Sequence, residues 1–304
     1  MDIEHLRIFV LAADLGNITA AGRKLGLSPS VTSTKLAKLE RELGADLLHR
    51  TTRKVSLSLE GSEFLPYARE ILAQADAARA VLGSGEAKAT GVLRFAAPSS
   101  FAQLYIAPLL PEFLADHPGI TLDLRLSDTQ FDLIEGSFDL ALRSSVPEDT
   151  SLKGRRLADD LRILCAAPAY LETSGTPDGP GDLTNHQLIG FQGMGSRELV
   201  GPKGRTATFD PSRSGSRLTL DDGLSQVQAT RAGAGISANS LWCVRPWLED
   251  GSLVRVLPDY RVNDGAVLWL YYPKSNVLTA KVRAFIDFLL DRIGKAPPWM
   301  ATMR

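Results

Sequence analysis

The reactive groups that this sequence gathers in one place are cations and hydroxyls, not nucleophile–base pairs. Residues 23–54 hold Arg23, Lys24, Lys35, Lys38, Arg41, Arg50, Arg53 and Lys54 against Glu40, Glu42 and Asp46, a local net charge of +5 in a chain whose overall formal charge is −1. A patch of that sign attracts phosphate. Ser28, Ser30, Ser33 and Thr34 lie among these residues, hydroxyls able to meet base edges or phosphate oxygens but specifying no sequence alone. Each cation taken singly is better explained as solvated surface. The clustering carries the argument.

Other chemistries find little support. His5, His49, His117 and His186 stand in no nucleophile–base pattern, and no Walker-type phosphate loop occurs, so no catalysis is expected. Cys165 and Cys243 have 77 residues between them and no Cys or His at metal-ligand spacing. Packed thiols are the expectation, with no metal and no cofactor. The chain opens on no basic-then-apolar leader and contains no apolar run long enough to span a bilayer. These features predict a cytoplasmic, reducing setting and no membrane partner.

Three short helices must position the basic cluster. Ile3, Leu6, Phe9, Val10 and Ala13 line one apolar face before Gly16 ends the run, and Thr19 is the candidate cap of a second helix through Ala20, Ala21 and Leu25. Gly26 supplies a turn, and Ser28 with Pro29 starts the third helix. There Thr32, Leu36, Leu39 and Leu43 are expected inward, leaving Ser30, Ser33, Thr34, Ala37 and Arg41 on a face that a major groove can receive. Arg53 and Lys54 then precede Val55, Ser56 and Leu57, a short strand that reads as the edge of a wing.

In this order the segment IEHLRIFVLAADLGNITAAGRKLGLSPSVTSTKLAKLERELGADLLHRTTRKVSLSLEG, residues 3–61, resembles the LysR-type transcriptional regulators. The resemblance rests on the Gly turn, the Ser-led third helix, Leu39–Glu40, Leu43–Gly44, Arg50–Thr51 and Glu60–Gly61. It implies an amino-terminal winged helix-turn-helix (1–60), a long linker and dimerisation helix (61–90), and an effector-binding domain (91–304) of two α/β lobes resembling periplasmic ligand-binding proteins. The DNA-contacting set it implies is Ser28, Pro29, Ser30, Ser33, Thr34, Lys35, Lys38, Arg41, Arg50, Arg53 and Lys54. Two positions depart from the family pattern: Thr34 stands where Arg or Lys is common, and Thr32 where an apolar core residue is usual.

Leu65, Ala68, Leu72, Ala75, Ala78 and Leu82 form a helical stripe that ends at Gly83, Gly85 and Gly91. A lone helix of this length gains little without an apolar partner. Pairing with a second copy is the favoured reading, packing against its own chain the alternative. Beyond Gly91, strand-like runs at 92–96, 120–126, 140–143, 161–166 and 267–272 alternate with helical patterns, which predicts α/β architecture. The resemblance assigns 91–161 plus 266–294 to one lobe and 162–265 to the other. Ser240, within SANSLW, replaces a frequent family proline and frees the local backbone.

The same resemblance implies an effector cleft that includes Ser99, Ser100, Phe101, Thr129, Phe191, the turn from Gly193 to Ser196, and Asp221, with Asp222 beside it. Ser99 and Ser100 lie between a strand and a helix, a place where an anion can be held, although ordinary capping accounts for them equally well. Phe101 and Phe191 suit a core as readily as a cleft, and the aspartates suit a helix cap. Arg197, Lys203, Arg205, Arg213 and Arg217 make 190–217 basic, which favours an anionic effector wherever they face the cleft.

The function expected is ligand-controlled transcription, with double-stranded DNA, a small-molecule effector with anions among its candidates, and a homodimer or homotetramer as partners, and RNA polymerase a further candidate. An enzyme on a similar two-lobed fold, a constitutive architectural DNA binder and a pure metabolite-binding protein are the rivals.

Overall fold

The computed structural model describes residues 1–50, 55–82, 89–128, 138–144, 152–212, 215–263, 265–274 and 278–301. They divide into two compact units, Met1–Lys88 with Lys274–Ala280, and Ala89–Pro273 with Lys281–Arg304.

The first unit opens with α1 (Ile3–Leu15), capped by Asp2 and closed by Gly16 at φ 59°. Its buried residues are His5, Leu6, Ile8, Phe9 and Ala12, whereas Ile3, Val10 and Ala13 are only partly covered. The expected face was too narrow, because α1 is contacted from several sides by α2 (Ile18–Lys24), α3 (Pro29–Leu43) and, further on, α4 (Leu59–Leu82). The cap of α2 is Asn17, not Thr19: the Asn17 side chain accepts the Ala20 N–H at 2.9 Å. Asn17 has the extended backbone a cap needs, while Thr19 already lies inside the helix.

Ser28 caps α3 with Pro29 in its first turn, as the Ser-Pro pair predicts. Thr32, Leu36, Leu39 and Glu40 are its buried residues. Thr32 is polar at an apolar position, yet its hydroxyl donates to the Ser28 carbonyl at 2.8 Å, so burial leaves no orphaned donor. Leu43, expected inward, is 38% exposed. Glu40 takes the inner place in the last turns, its carboxylate accepting the N–H groups of Leu47 and Leu48 at 3.1 and 3.3 Å. That ties the helix to a two-stranded antiparallel wing, β1 (Leu48–Arg50) and β2 (Val55–Leu57).

Helix α4 begins after Ser58, whose hydroxyl accepts the Gly61 N–H and donates to the Asp46 carbonyl. Leu65, Ala68 and Leu72 enter the same core as Leu6, Phe9, Leu36 and Leu39, and Arg69 pairs with Asp14 at 2.8 Å. The first half of the helical stripe is therefore spent inside its own chain. Ala78 and Leu82 have side chains outside the described residues.

The second unit runs through β3 (Gly91–Ala97), α5 (Ser99–Phe101), a π turn at Ala102–Ile106, a 3-10 turn at Ala107–Leu109, α6 (Leu110–Asp116), β4 (Ile120–Leu126), β5 (Leu140–Ser144) and β6 (Leu152–Asp159). The helical stretch starts earlier than its apolar spacing predicts and is broken, since Pro108 has no N–H to close a regular turn. The chain then crosses to β7 (Arg162–Ala166), α7 (Pro168–Ser174), β8 (Leu188–Phe191), β9 (Arg197–Val200), β10 (Thr206–Phe209), β11 (Thr219–Leu220), α8 (Gly223–Arg231), β12 (Ile236–Ser240), α9 (Leu241–Glu249), β13 (Val254–Val256) and β14 (Arg261–Val262). It returns through β15 (Val267–Pro273) and α10 (Ala280–Leu289), followed by a π turn at Leu290–Gly294 and a 3-10 turn at Pro298–Met300.

Among the described residues the strands form two five-stranded mixed sheets, ordered β4-β3-β5-β15-β6 and β11-β8-β12-β7-β13, and a small sheet β10-β9-β14. Each large sheet is the centre of one lobe. The chain passes between lobes at 159–162 and again at 262–267, and the Asp160 N–H donates to the Ala266 carbonyl at 3.3 Å where the two passages meet.

Candidate functional site

The first candidate surface is the outer face of α3. Pro29, Ser30, Thr34, Lys38 and Arg41 are exposed there, with Ser33 half-buried beside them. Ser30, Thr34, Lys38 and Arg41 follow one another at spacings of four, four and three, so they form one stripe along the helix. The Ser28 hydroxyl is turned to the Val31 N–H and the Ser30 hydroxyl, and the Thr34 hydroxyl donates to the Ser30 carbonyl at 2.9 Å, leaving its lone pairs outward. Lys35 departs from the expected set. Its ammonium pairs with Glu4 of α1, because position 35 lies on the flank that meets α1. Arg53 and Lys54 lie outside the described residues, as does the side chain of Arg50.

The second is a cavity of about 590 Å³ in the second unit, lined from both lobes, a size ordinary for a small-molecule site. Of the residues expected there, Ser100, Phe191, Gly193 and Asp221 line it. Ser196 is exposed and is not among the lining residues, and Thr129 lies outside the described residues. Phe101 is a correction: it is fully buried, edge-on to Trp242 at 5.1 Å and to Trp299 at 5.6 Å. Its ring belongs to an aromatic core behind the cavity wall, which Trp242 separates from the cavity.

The Ser99–Ser100 turn is also differently employed from what its position suggests. The Asp128 carboxylate fills it, accepting the Ser99 hydroxyl at 2.9 Å, the Ser100 hydroxyl at 2.9 Å, the Ser100 N–H at 3.3 Å and, from the other lobe, the Gly223 N–H at 2.6 Å. Ser99 also lies 3.0 Å from Asp222, the cap of α8. A hydroxyl has one proton, so Ser99 donates to one carboxylate at a time. Burial acts to raise the Asp222 carboxyl, but the hydrogen bonds from Ser225 and Ser99 outweigh it and hold the group below its ordinary value. A Cβ on Gly223 would stand 2.8 Å from the Ser100 hydroxyl oxygen and 3.1 Å from Asp128; glycine is what lets the lobes approach here.

Three residues in and around this site, Asp160, Arg143 and Trp299, have no local signal in the sequence. Asp160, buried at the crossing between lobes, accepts the Trp242 indole N–H at 2.9 Å and pairs with Arg162 at 3.4 Å. Arg143 also lines the cavity, as does Arg197 of the basic 190–217 stretch, and among the described residues Arg143 Nη2 and Arg197 Nε are buried with no hydrogen-bond partner. Trp299 is missed as well. It is fully buried against Tyr105 and Phe101, and Arg245 donates to its carbonyl at 3.0 Å and to that of Ala301 at 2.7 Å.

Both cysteines are buried and free. Burial pushes the Cys165 thiol up to about 11 and raises that of Cys243, which keeps both protonated and weakly nucleophilic. Among the described residues no cluster of three or more metal-ligand side chains gathers, and no helix is long and apolar enough to cross a membrane.

Comparison with known proteins covers both units. Residues 3–62 match the family described as "Bacterial regulatory helix-turn-helix protein, lysR family", and residues 86–294 match "LysR substrate binding domain". The chain is 32% identical over 295 residues to the probable HTH-type transcriptional regulator LtrA of Klebsiella pneumoniae, covering 96% of this chain and 94% of that protein. It is 32% identical over 304 residues to the HTH-type transcriptional regulator PtxR of Pseudomonas aeruginosa, covering 98% and 95%. Among solved structures, CrgA, a LysR-type transcriptional regulator from Neisseria meningitidis, is similar with a TM-score of 0.60 at 28% identity, covering 96% of this chain and 98% of that one. The full-length Vibrio cholerae virulence activator AphB gives a TM-score of 0.60 at 27% identity, covering 96% and 100%.

Proposed function

Because the chain belongs to the LysR family of DNA-binding transcriptional regulators, we propose that it reads a partly symmetric operator as a homodimer or homotetramer in the cytoplasm under the control of a small anionic effector. The operator is met by the α3 face: Ser30, Ser33 and Thr34 near base edges, Lys38 and Arg41 at phosphates, and the wing residues Arg50, Arg53 and Lys54 along the backbone. Lacking a guanidinium at position 34, this helix leans on phosphate contacts and hydroxyls. RNA polymerase is the partner through which occupancy alters transcription.

The effector enters the cavity between the lobes. The observation that carries this reading is the cavity itself, about 590 Å³ with walls from both lobes, since a ligand there touches two bodies at once and can favour one of their arrangements. Control requires unequal affinity for those arrangements; tight but equal binding shifts no population. Trp242 in the wall packs on Phe101, and Phe101 and Tyr105 pack on Trp299, so the wall is backed by one aromatic cluster.

The test is selection of genomic DNA fragments by the purified protein at near-physiological salt. Enrichment of a narrow, partly palindromic site, with a footprint that alters when cell metabolites are added, is expected. Uniform recovery of fragments would turn the assignment toward an architectural DNA binder.

A further inference from the structure

We propose that the anionic group of the effector is seated on Arg143 and Arg197, one from each lobe, and not on the serine turn at Ser99 and Ser100; this rests on the effector-controlled reading above. Arg143 comes from β5 and Arg197 from the first position of β9. Both line the cavity, and each holds a buried N–H group with no acceptor among the described residues, Nη2 of Arg143 and Nε of Arg197. A half-buried guanidinium with one N–H shielded from water and unmatched is a site for an acceptor, and guanidinium geometry matches the paired oxygens of a carboxylate.

The rest of the cavity narrows the choice. Arg162, a third guanidinium in the lining, is engaged with Asp160 and Ser144. The serine turn is closed to a second anion by Asp128, whose two oxygens already accept four hydrogen bonds, and Asp222, 3.0 Å from the Ser99 hydroxyl, adds another negative charge at that end. An incoming carboxylate is repelled there and attracted by the arginines. Leu142, Phe191, Met194 and Trp242 complete the walls, so the class of ligand is an organic oxyanion carried on an apolar body, with Asp128 acting as the internal anion that keeps the serine turn occupied.

The experiment is thermal unfolding of the full chain with acetate and benzoate, each against its neutral isostere, acetamide and benzamide, with chloride and inorganic phosphate as ionic controls. A saturable rise in Tm with a carboxylate, absent with its amide and with chloride, is expected. Arg143→Gln and Arg197→Gln should each weaken the response by about ten-fold or more, the scale of a lost charged hydrogen bond, while Ser100→Ala leaves it within about two-fold. Removing a half-buried cation with an unmatched N–H should leave the ligand-free Tm equal or higher; Arg143→Lys, which keeps charge but not the fork, provides the check if either glutamine variant folds poorly. A response to phosphate alone would overturn the apolar-body class. No carboxylate response, equal response to acid and amide, or loss of the response in Ser100→Ala and not in the arginine variants overturns the seat. Operator selection by the same variants separates the two readings: intact selection leaves the regulator assignment standing when the seat fails.

Discussion

At position 22 a glycine lets two helices touch where any side chain would collide. An added Cβ would stand 2.0 Å from the Thr32 hydroxyl oxygen, so Thr32 and Gly22 form a matched pair, the threonine filling the space that the glycine leaves. Gly22→Ala is expected to destabilise the amino-terminal unit by about 1–3 kcal/mol through overpacking, read as a lower denaturant midpoint for that unit; an unchanged midpoint would mean that α2 and α3 separate at no cost. The lysines of α3 allow a second test at this scale. Lys35 is held by Glu4, whereas Lys38 is exposed. Lys38→Ala should reduce the slope of log affinity for DNA against log salt by about one, the value of one phosphate contact, and Lys35→Ala should leave it nearly unchanged. Equal slope losses would place both ammonium groups on phosphate and overturn the assignment of Lys35 to α1.

Among elements, α3 was readable from sequence because its determinants are local: Ser28 and Pro29 at the start, Gly44 at the end, and apolar residues at helical spacing between. The serine turn was readable as a helix start but not as an occupied one. Its occupant, Asp128, lies 28 positions away from Ser100 and reaches Gly223 across a further 95, and no periodicity encodes such a meeting. The open donors of Arg143 and Arg197 are tertiary in the same sense, since lack of a partner depends on every neighbour. Leu43 and Glu40 exchanged roles because a buried carboxylate with two backbone donors is as well satisfied as a leucine in apolar surroundings. The Ser99–Asp222 contact carries a pH prediction. The folded-state value of Asp222 is lowered from 3.8, so its contribution to stability is complete above that value and is lost as pH falls through the lower folded-state one. Asp222→Asn should therefore flatten the acid limb of a stability–pH curve and leave its neutral region nearly level in slope. A change of slope confined to pH above 6 would contradict this.

For the whole molecule, the open matter is what the length of α4 is for. A helix of 24 residues runs about 36 Å, yet its buried apolar side chains among those described, Leu65, Ala68 and Leu72, all lie in its first fourteen positions and all face its own unit. Leu59 and Tyr67 are 74% and 64% exposed on the same helix, large apolar surfaces that a single chain leaves in water. An α-helix draws most of its stability from packing and not from its own hydrogen bonds, so under the proposed dimer a second copy along α4 would supply what one chain lacks and would hold two α3 faces for successive major grooves, about 34 Å apart. Tyr67→Glu introduces a charge into that contact while leaving the internal core untouched. Sedimentation velocity at micromolar concentration should show a shift toward monomer, and operator affinity should fall more steeply than affinity for a single half-site, because linkage of two readers multiplies their binding through effective concentration. An unchanged sedimentation coefficient with unchanged operator affinity would place the self-association surface elsewhere on the chain and leave α4 as a spacer only.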